Sequence, residues 1–157
     1  MNLPTPPPPQ HLPIEAQWCL QASSPSLSRS GPCIELEVAR TQQQQSWGLM
    51  GRPPLAPLRG MWFPYDQAQV LKFWMHRTPS PLDMLFIRDQ RVIAIEADAT
   101  PCPRLPCRSY GPDAPADGVV ELAAGEANRL GIKIGTPAVI RPFKPLPAAR
   151  PATPTRD

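Results

Sequence analysis

The sequence predicts a mainly β chain: a single small β-sandwich or barrel-like domain with two short helices, carried between Pro-rich tails. Three observations predict it. Apolar and polar residues alternate with a period of two in several short runs. Clusters of Gly, Pro, Asp and Ser separate those runs. Of the 25 prolines, 13 lie outside the segment from Cys33 to Ile140, which leaves the interior enough Val, Ile, Leu, Phe and Trp for a core. At 157 residues the chain has the size of one domain.

The run from Pro4 to Pro9 excludes helix and ladder, because proline lacks an N–H and fixes φ. Residues 1–13 therefore read as a polyproline-II-like tail. Ile14, Ala16, Trp18 and Leu20 then alternate with Glu15, Gln17, Cys19 and Gln21, the pattern of a half-buried strand. Ser23 to Pro32 is a loop. Ile34, Leu36 and Val38 against Glu35 and Glu37 make a second strand. Thr41 caps a short helix from Gln42 to Trp47, stopped by Gly48, Gly51 and Pro53. Its four glutamines read as a polar face.

Gly60–Tyr65 and Gln69–Arg77 are aromatic-rich strands, followed by a Pro79-Ser80-Pro81 turn. Leu82–Arg88 and Arg91–Ala97 are apolar on both faces, and Asp89-Gln90 joins them as a hairpin through the core. Thr100–Asp117 is a long loop dense in Pro, Cys and Gly, of the kind that is often functional or disordered. Val119–Leu122 is a strand and Ala124–Leu130 a helix ended by Gly131. Gly135-Thr136-Pro137 turns the chain into a last strand, Ala138–Arg141. The β domain thus spans residues 14–141, and residues 142–157 form a second Pro-rich, basic tail.

The charge pattern limits the partners. Of the net charge of +3, none comes from Cys33 to Ile140, where 11 Lys/Arg meet 11 Asp/Glu. The excess sits in Arg141, Lys144, Arg150 and Arg156 against Asp157. A basic tail attracts anions weakly, and no basic face interleaved with aromatics marks a nucleic-acid reader, so nucleic acid is excluded as the main partner. No stretch approaches the ~20 apolar residues of a spanning helix. The residues after Met1 carry no signal-peptide pattern. The chain as written reads as cytoplasmic, or as exported if its true start lies upstream.

Several strings fall in a familiar order. These are Leu36-Glu37-Val38-Ala39, Gly48-Leu49-Met50-Gly51-Arg52, Arg59-Gly60-Met61, Phe73-Trp74-Met75 and Pro81-Leu82-Asp83-Met84-Leu85-Phe86. Val120-Glu121-Leu122-Ala123-Ala124-Gly125 and Arg129-Leu130-Gly131 complete the set. From Ile34 to Ile140 the chain resembles the bacterial and archaeal family known as domain of unknown function 192. The loop with Pro101-Cys102, Pro106-Cys107 and Tyr110-Gly111-Pro112 resembles cyanobacterial members in particular. The resemblance implies a compact β-sandwich-like fold and no assigned activity. Members commonly continue Trp-Met with Lys-Asn-Thr, whereas this chain has His76-Arg77-Thr78. Many also carry export signals or lipoprotein anchors, and none is expected from the sequence as written.

Arg52, Asp83 and Glu121 are the charged residues inside those motifs. Asp83 lies in an apolar strand, and a buried carboxylate needs a partner or takes a raised pKa. Its bland alternative is a structural ion pair or cap. Asp83 with Glu121 could be a glycosidase-type acid/base pair, although alternation with Val120 and Leu122 also lets Glu121 face water. Met50, Met61, Met75 and Met84 with Trp47, Trp62 and Trp74 either fill the core or offer thioether sulfurs to a soft metal such as copper, helped by Cys102 and Cys107.

Cys102 and Cys107 enclose Pro-Arg-Leu-Pro, which is not a zinc or thioredoxin spacing, and only His11 and His76 are available as imidazole partners. A disulfide, inert thiols and zinc are the alternatives, and a reducing cytosol would keep the thiols open. The reading reached is a noncatalytic small-ligand-binding or accessory module, partnered by a small ligand or protein, with no cofactor or metal required. Its ligand residues would be Arg52, Trp74, Met75, Asp83 and Glu121. The alternatives are a hydrolase using Asp83 and Glu121, and a copper-binding protein.

Overall fold

The computed structural model describes residues 8–21 and 31–147. Its strands are β1 (Ile14–Cys19), β2 (Cys33–Val38), β3 (Arg59–Gln69), β4 (Phe73–Trp74), β5 (Leu82–Arg88), β6 (Arg91–Ala99), β7 (Ser109–Tyr110), β8 (Ala116–Ala123) and β9 (Ile140–Pro142). The helices are α1 (Gln42–Trp47) and α2 (Glu126–Arg129). Seven strands form one mixed sheet in the order β6-β5-β8-β3-β2-β1-β9, while β4 pairs with β7. The β2–β3 ladder is parallel and the others are antiparallel. Ile140 pairs with β1 at one edge, and the turn before it meets β6 at the other through the isolated bridge Arg91–Pro137 and two hydrogen bonds between Val92 and the Gly135–Thr136 backbone, with no continuous ladder. Among the described residues the sheet is therefore mainly β and mixed, and it does not close into a barrel.

Both faces of this sheet are covered, which explains why its central strands read as continuous apolar runs. Successive side chains of a strand point to opposite faces. In β8, Val120 and Leu122 join Trp18, Ile34, Leu36, Leu85 and Ile87 on one side. Val119 joins Met61, Phe63, Met84 and Phe86 on the other. Methionines 61, 75 and 84 all lie in this second core.

The hairpin from β5 to β6 turns on Asp89 and Gln90, both at positive φ (49° and 60°). Two successive left-handed residues match the right-handed strand twist, so this pair makes the turn without the favoured Asn-Gly. Thr41 caps α1 as expected, accepting a hydrogen bond from the Gln44 N–H at 3.1 Å. The glutamines do more than face water: Gln44 completes the capping box. Gln45 donates to the Ala39 and Pro64 carbonyls at 3.1 and 2.9 Å.

Several boundaries differ from the sequence expectation: the long loop contains β7 and the start of β8, β6 runs on to Ala99, and the last strand shifts to Ile140–Pro142. Gly60–Tyr65 belongs to an 11-residue β3 that runs on to Gln69, and only Phe73–Trp74 of the next segment pairs as a strand. The helix shortens to Glu126–Arg129 because Asp83 fixes its start. The Pro-rich lead is anchored from Pro9, which packs under Gly51. Gln10 Nε2 donates to the Gln44 and Gly48 carbonyls at 2.8 and 2.9 Å, a second bond for the Gln44 carbonyl, which also accepts from the Gly48 N–H. The rest of both expected tails, residues 1–7 and 148–157, lies outside the described residues.

All four cysteines are paired. Cys19 and Cys33 stand directly opposite each other at the ends of β1 and β2 and form one disulfide. Cys102 and Cys107 form the other, inside the long loop.

Candidate functional site

Glu121 sits near the middle of β8, with Met61 of β3 opposite it on one side and Met84 of β5 on the other. The pleat sends its side chain to the Met61–Met84 face rather than to water, and the residue is 5% exposed. What little is open faces a cleft of about 470 Å³. One wall is α1 and the turn after it, including Gln45, Trp47 and Met50; the other comes from Tyr65, Phe73, Trp74, Thr78 and Ser109.

The walls are braced. Phe73 packs edge-on against Phe63 at 5.0 Å and Phe86 at 6.2 Å between centroids. Trp74 pairs with Ser109 across the β4–β7 ladder and tilts against His76 at 4.9 Å. The Cys102–Cys107 loop holds the next turn: Cys102 N–H donates to the Met75 carbonyl at 3.1 Å, and Arg77 N–H donates to the Cys102 carbonyl at 3.3 Å. Arg77 in turn accepts from Gly51 N–H at 2.8 Å, which ties the two walls together. At the rim, Lys72 Nζ donates to the Gly111 carbonyl at 2.6 Å and to Asp113 at 3.0 Å.

The electrostatics single out Glu121. Burial pushes its carboxyl from an ordinary 4.5 up to about 8. Among the described residues its carboxyl accepts no hydrogen bond and meets no cation, so nothing offsets the lost hydration. Tyr65 in the same cleft is also raised, first by burial and then by the Glu121 charge.

The five residues singled out from the sequence separate. Trp74 and Glu121 share the cleft, and Met75 is buried behind Trp74 in the core. Arg52 lies instead in a smaller cleft of about 340 Å³ beside Glu37, to which it donates at 2.6 Å. Its Nη1 also reaches the Gln10 carbonyl at 3.4 Å, and its Nε is buried without a partner among the described residues. Asp83 stands opposite Leu122, not Glu121, and so points to the other face of the sheet. There it accepts from the Asp98, Gly125 and Ala127 N–H groups at 2.9, 3.1 and 3.0 Å. The two carboxylates of the acid/base reading thus face away from each other across the sheet.

Sequence reasoning named Trp47 and Met50 only as core or soft-metal candidates and did not single out Tyr65, Thr78 or Ser109, because nothing in their spacing announces a shared cleft. The Cys19–Cys33 bridge did carry a signal: two adjacent alternating strands with a cysteine at the end of one and the start of the next. Among the described residues no three His, Cys, Asp or Glu side chains converge as a metal site. No helix there is long and apolar enough to cross a membrane.

No curated protein matches the chain. Two crystal structures do. A protein of unknown function from Novosphingobium aromaticivorans is 31% identical with a TM-score of 0.68, covering 89% of this chain and 93% of that one. A proposed transcription regulator from Sinorhizobium meliloti is 29% identical with a TM-score of 0.67, covering 85% and 98%. With a family profile spanning residues 26–140 as well, the chain belongs to the DUF192 family, described as an uncharacterised ACR.

Proposed function

We propose that this chain is a noncatalytic small-ligand-binding module whose site is the cleft over Glu121. The observation that carries it is one buried carboxyl that lines that cleft and has no hydrogen-bonding partner among the described residues. Buried polar groups are ordinarily hydrogen-bonded, and an exception calls for a reason. A pocket with a few convergent polar groups and a strongly perturbed acid is the default binding site of a fold. A hydrolase built on Asp83 and Glu121 is disfavoured by their opposite faces and by the three N–H donors that already occupy Asp83.

The test is a fragment screen on 15N-labelled protein, following the Trp74 indole N–H. Fragments that shift Trp74 saturably, and lose that shift when Ser109 is replaced by a bulkier residue, support the reading. A screen in which hits cluster on Arg52 and leave Trp74 unmoved moves the site to the smaller cleft.

The strand register favours one second reading, a soft-metal site, because Met61 and Met84 flank Glu121 and Met50 lines the same cleft. Cys102 and Cys107 are tied to each other and add no thiolate. Anaerobic Cu(I) loading followed by desalting decides it: retention of one equivalent supports the site, and no retained copper removes it.

The two disulfides support the exported alternative over a cytoplasmic one, since such bonds persist in oxidising compartments. Intact mass with and without alkylation, on protein from its native host, tests that: four alkylated thiols would place the chain in a reducing compartment.

A further inference from the structure

We infer that the ligand of this cleft carries a primary ammonium group that ion-pairs with Glu121. The inference rests on the binding-site reading above and names the ligand's chemical class. It starts from what surrounds the carboxyl. From β3 it meets Met61 and Tyr65, and from β5 Met84. Helix α1, Gln42–Trp47, contributes no acidic or basic residue. The Lys and Arg side chains that line the two clefts are engaged: Lys72 with Gly111 and Asp113, Arg52 with Glu37, and Arg59 with Glu35. The site therefore presents a buried acceptor group whose counter-charge no described residue supplies.

A ligand cation supplies it. Removing a carboxylate from water is strongly unfavourable unless a charge partner and hydrogen-bond donors replace the hydration. An ammonium group brings the charge and up to three N–H donors, which suit two oxygens without a protein donor. The rest of the cleft agrees with this. Trp47, Tyr65, Phe73 and Trp74 line it, and aromatic faces attract cations. Thr78 is a further polar group within the wall. An anionic ligand would meet the carboxyl with no uncommitted cation among the described lining residues to receive it.

The ion pair also links binding to pH. Below the Glu121 pKa, each bound ammonium displaces one proton from the carboxyl, which leaves for solvent. Affinity then rises about tenfold per pH unit and levels off above that pKa.

The experiment titrates the full chain, disulfides intact, with three probes of one shape and different charge: 2-phenylethylammonium, 2-phenylethanol and phenylacetate. Tetramethylammonium is added as a cation without N–H donors. Binding is read from the Trp74 indole resonance at pH 6.5, 7.5 and 8.5, on the parent chain and on Glu121→Gln. The expected result is saturable binding of phenylethylammonium, at least tenfold tighter than the alcohol, the acid or tetramethylammonium. It tightens with pH, and Glu121→Gln weakens it at least tenfold while thermal unfolding stays cooperative.

Equal affinity for the alcohol, or no change with pH, overturns the inference, and both are read on the parent chain whether or not the variant folds. Binding of the alcohol or acid in place of the amine overturns it too, but leaves the cleft a ligand site. Silence of Trp74 toward all four probes overturns both.

Discussion

Asp83 and Glu121 are one residue out of register on neighbouring strands, both carboxylates, both almost wholly removed from water. Their surroundings differ completely. Asp83 receives three backbone N–H groups and joins the start of α2 to β5 and β6. Glu121 receives none among the described residues and looks into a cleft. Burial alone does not mark a functional acid; what separates the two is whether the fold completes the hydration shell that burial removed. A carboxylate the fold satisfies is architecture, and one it leaves open is where the proposed ligand would bind.

The largest effect that sharpens this contrast is on Asp83. Asp83→Ala strands three buried donors, and hydrogen bonds to a charged group contribute about 1.5–3 kcal/mol each, not additively. We expect a loss of about 4 kcal/mol in urea unfolding; a loss under about 1 kcal/mol would break the comparison.

Glu121 has the opposite sign. Its folded pKa of about 8 stands above the ordinary 4.5, so between those values the folded chain holds a proton that the unfolded chain has released. Stability from this group is full below the unfolded value, falls as pH rises through that window, and is flat above it. Glu121→Gln removes the dependence and stabilises the chain by about 4 kcal/mol more at pH 9 than at pH 5. A parent and variant with parallel stability–pH curves would show that the acid is not held neutral.

A smaller effect concerns the cleft wall. Replacing Cys102 and Cys107 together by Ser opens a short loop worth about 2 kcal/mol in the chain-entropy account. It should also speed amide exchange at Arg77 and Ser109 more than at Asp83's partners. The smallest is Thr41→Ala, which removes the α1 cap for about 1 kcal/mol and is read as a shift in melting temperature. If it also moves the Trp74 resonance, α1 and β4 share one cooperative wall.

Much of the sheet was legible. Period-two alternation located β1 and β2, and the doubly apolar runs located β5 and β6, because strands buried on one face or two leave those patterns in any sequence. The pairing order was not legible: β8 slots between β3 and β5 from far along the chain. That order alone decides that Glu121 is covered rather than solvated and that Asp83 faces elsewhere. Asp83 as a buried motif carboxylate was legible; its three donors come from β6 and from the start of α2, which no local pattern reveals. Gln10 and Pro9 were read as tail because proline-rich composition says nothing about docking.

The place of β8 in the sheet has a kinetic consequence. Its two partners end long before Ala116 is made, so the central ladders close only through distant contacts, the kind that slow folding. The cleft's walls come from residues 42–109, but its acid arrives with the strand that completes the sheet. A nascent or clipped chain ending before Glu121 therefore lacks the carboxyl on which the proposed site rests.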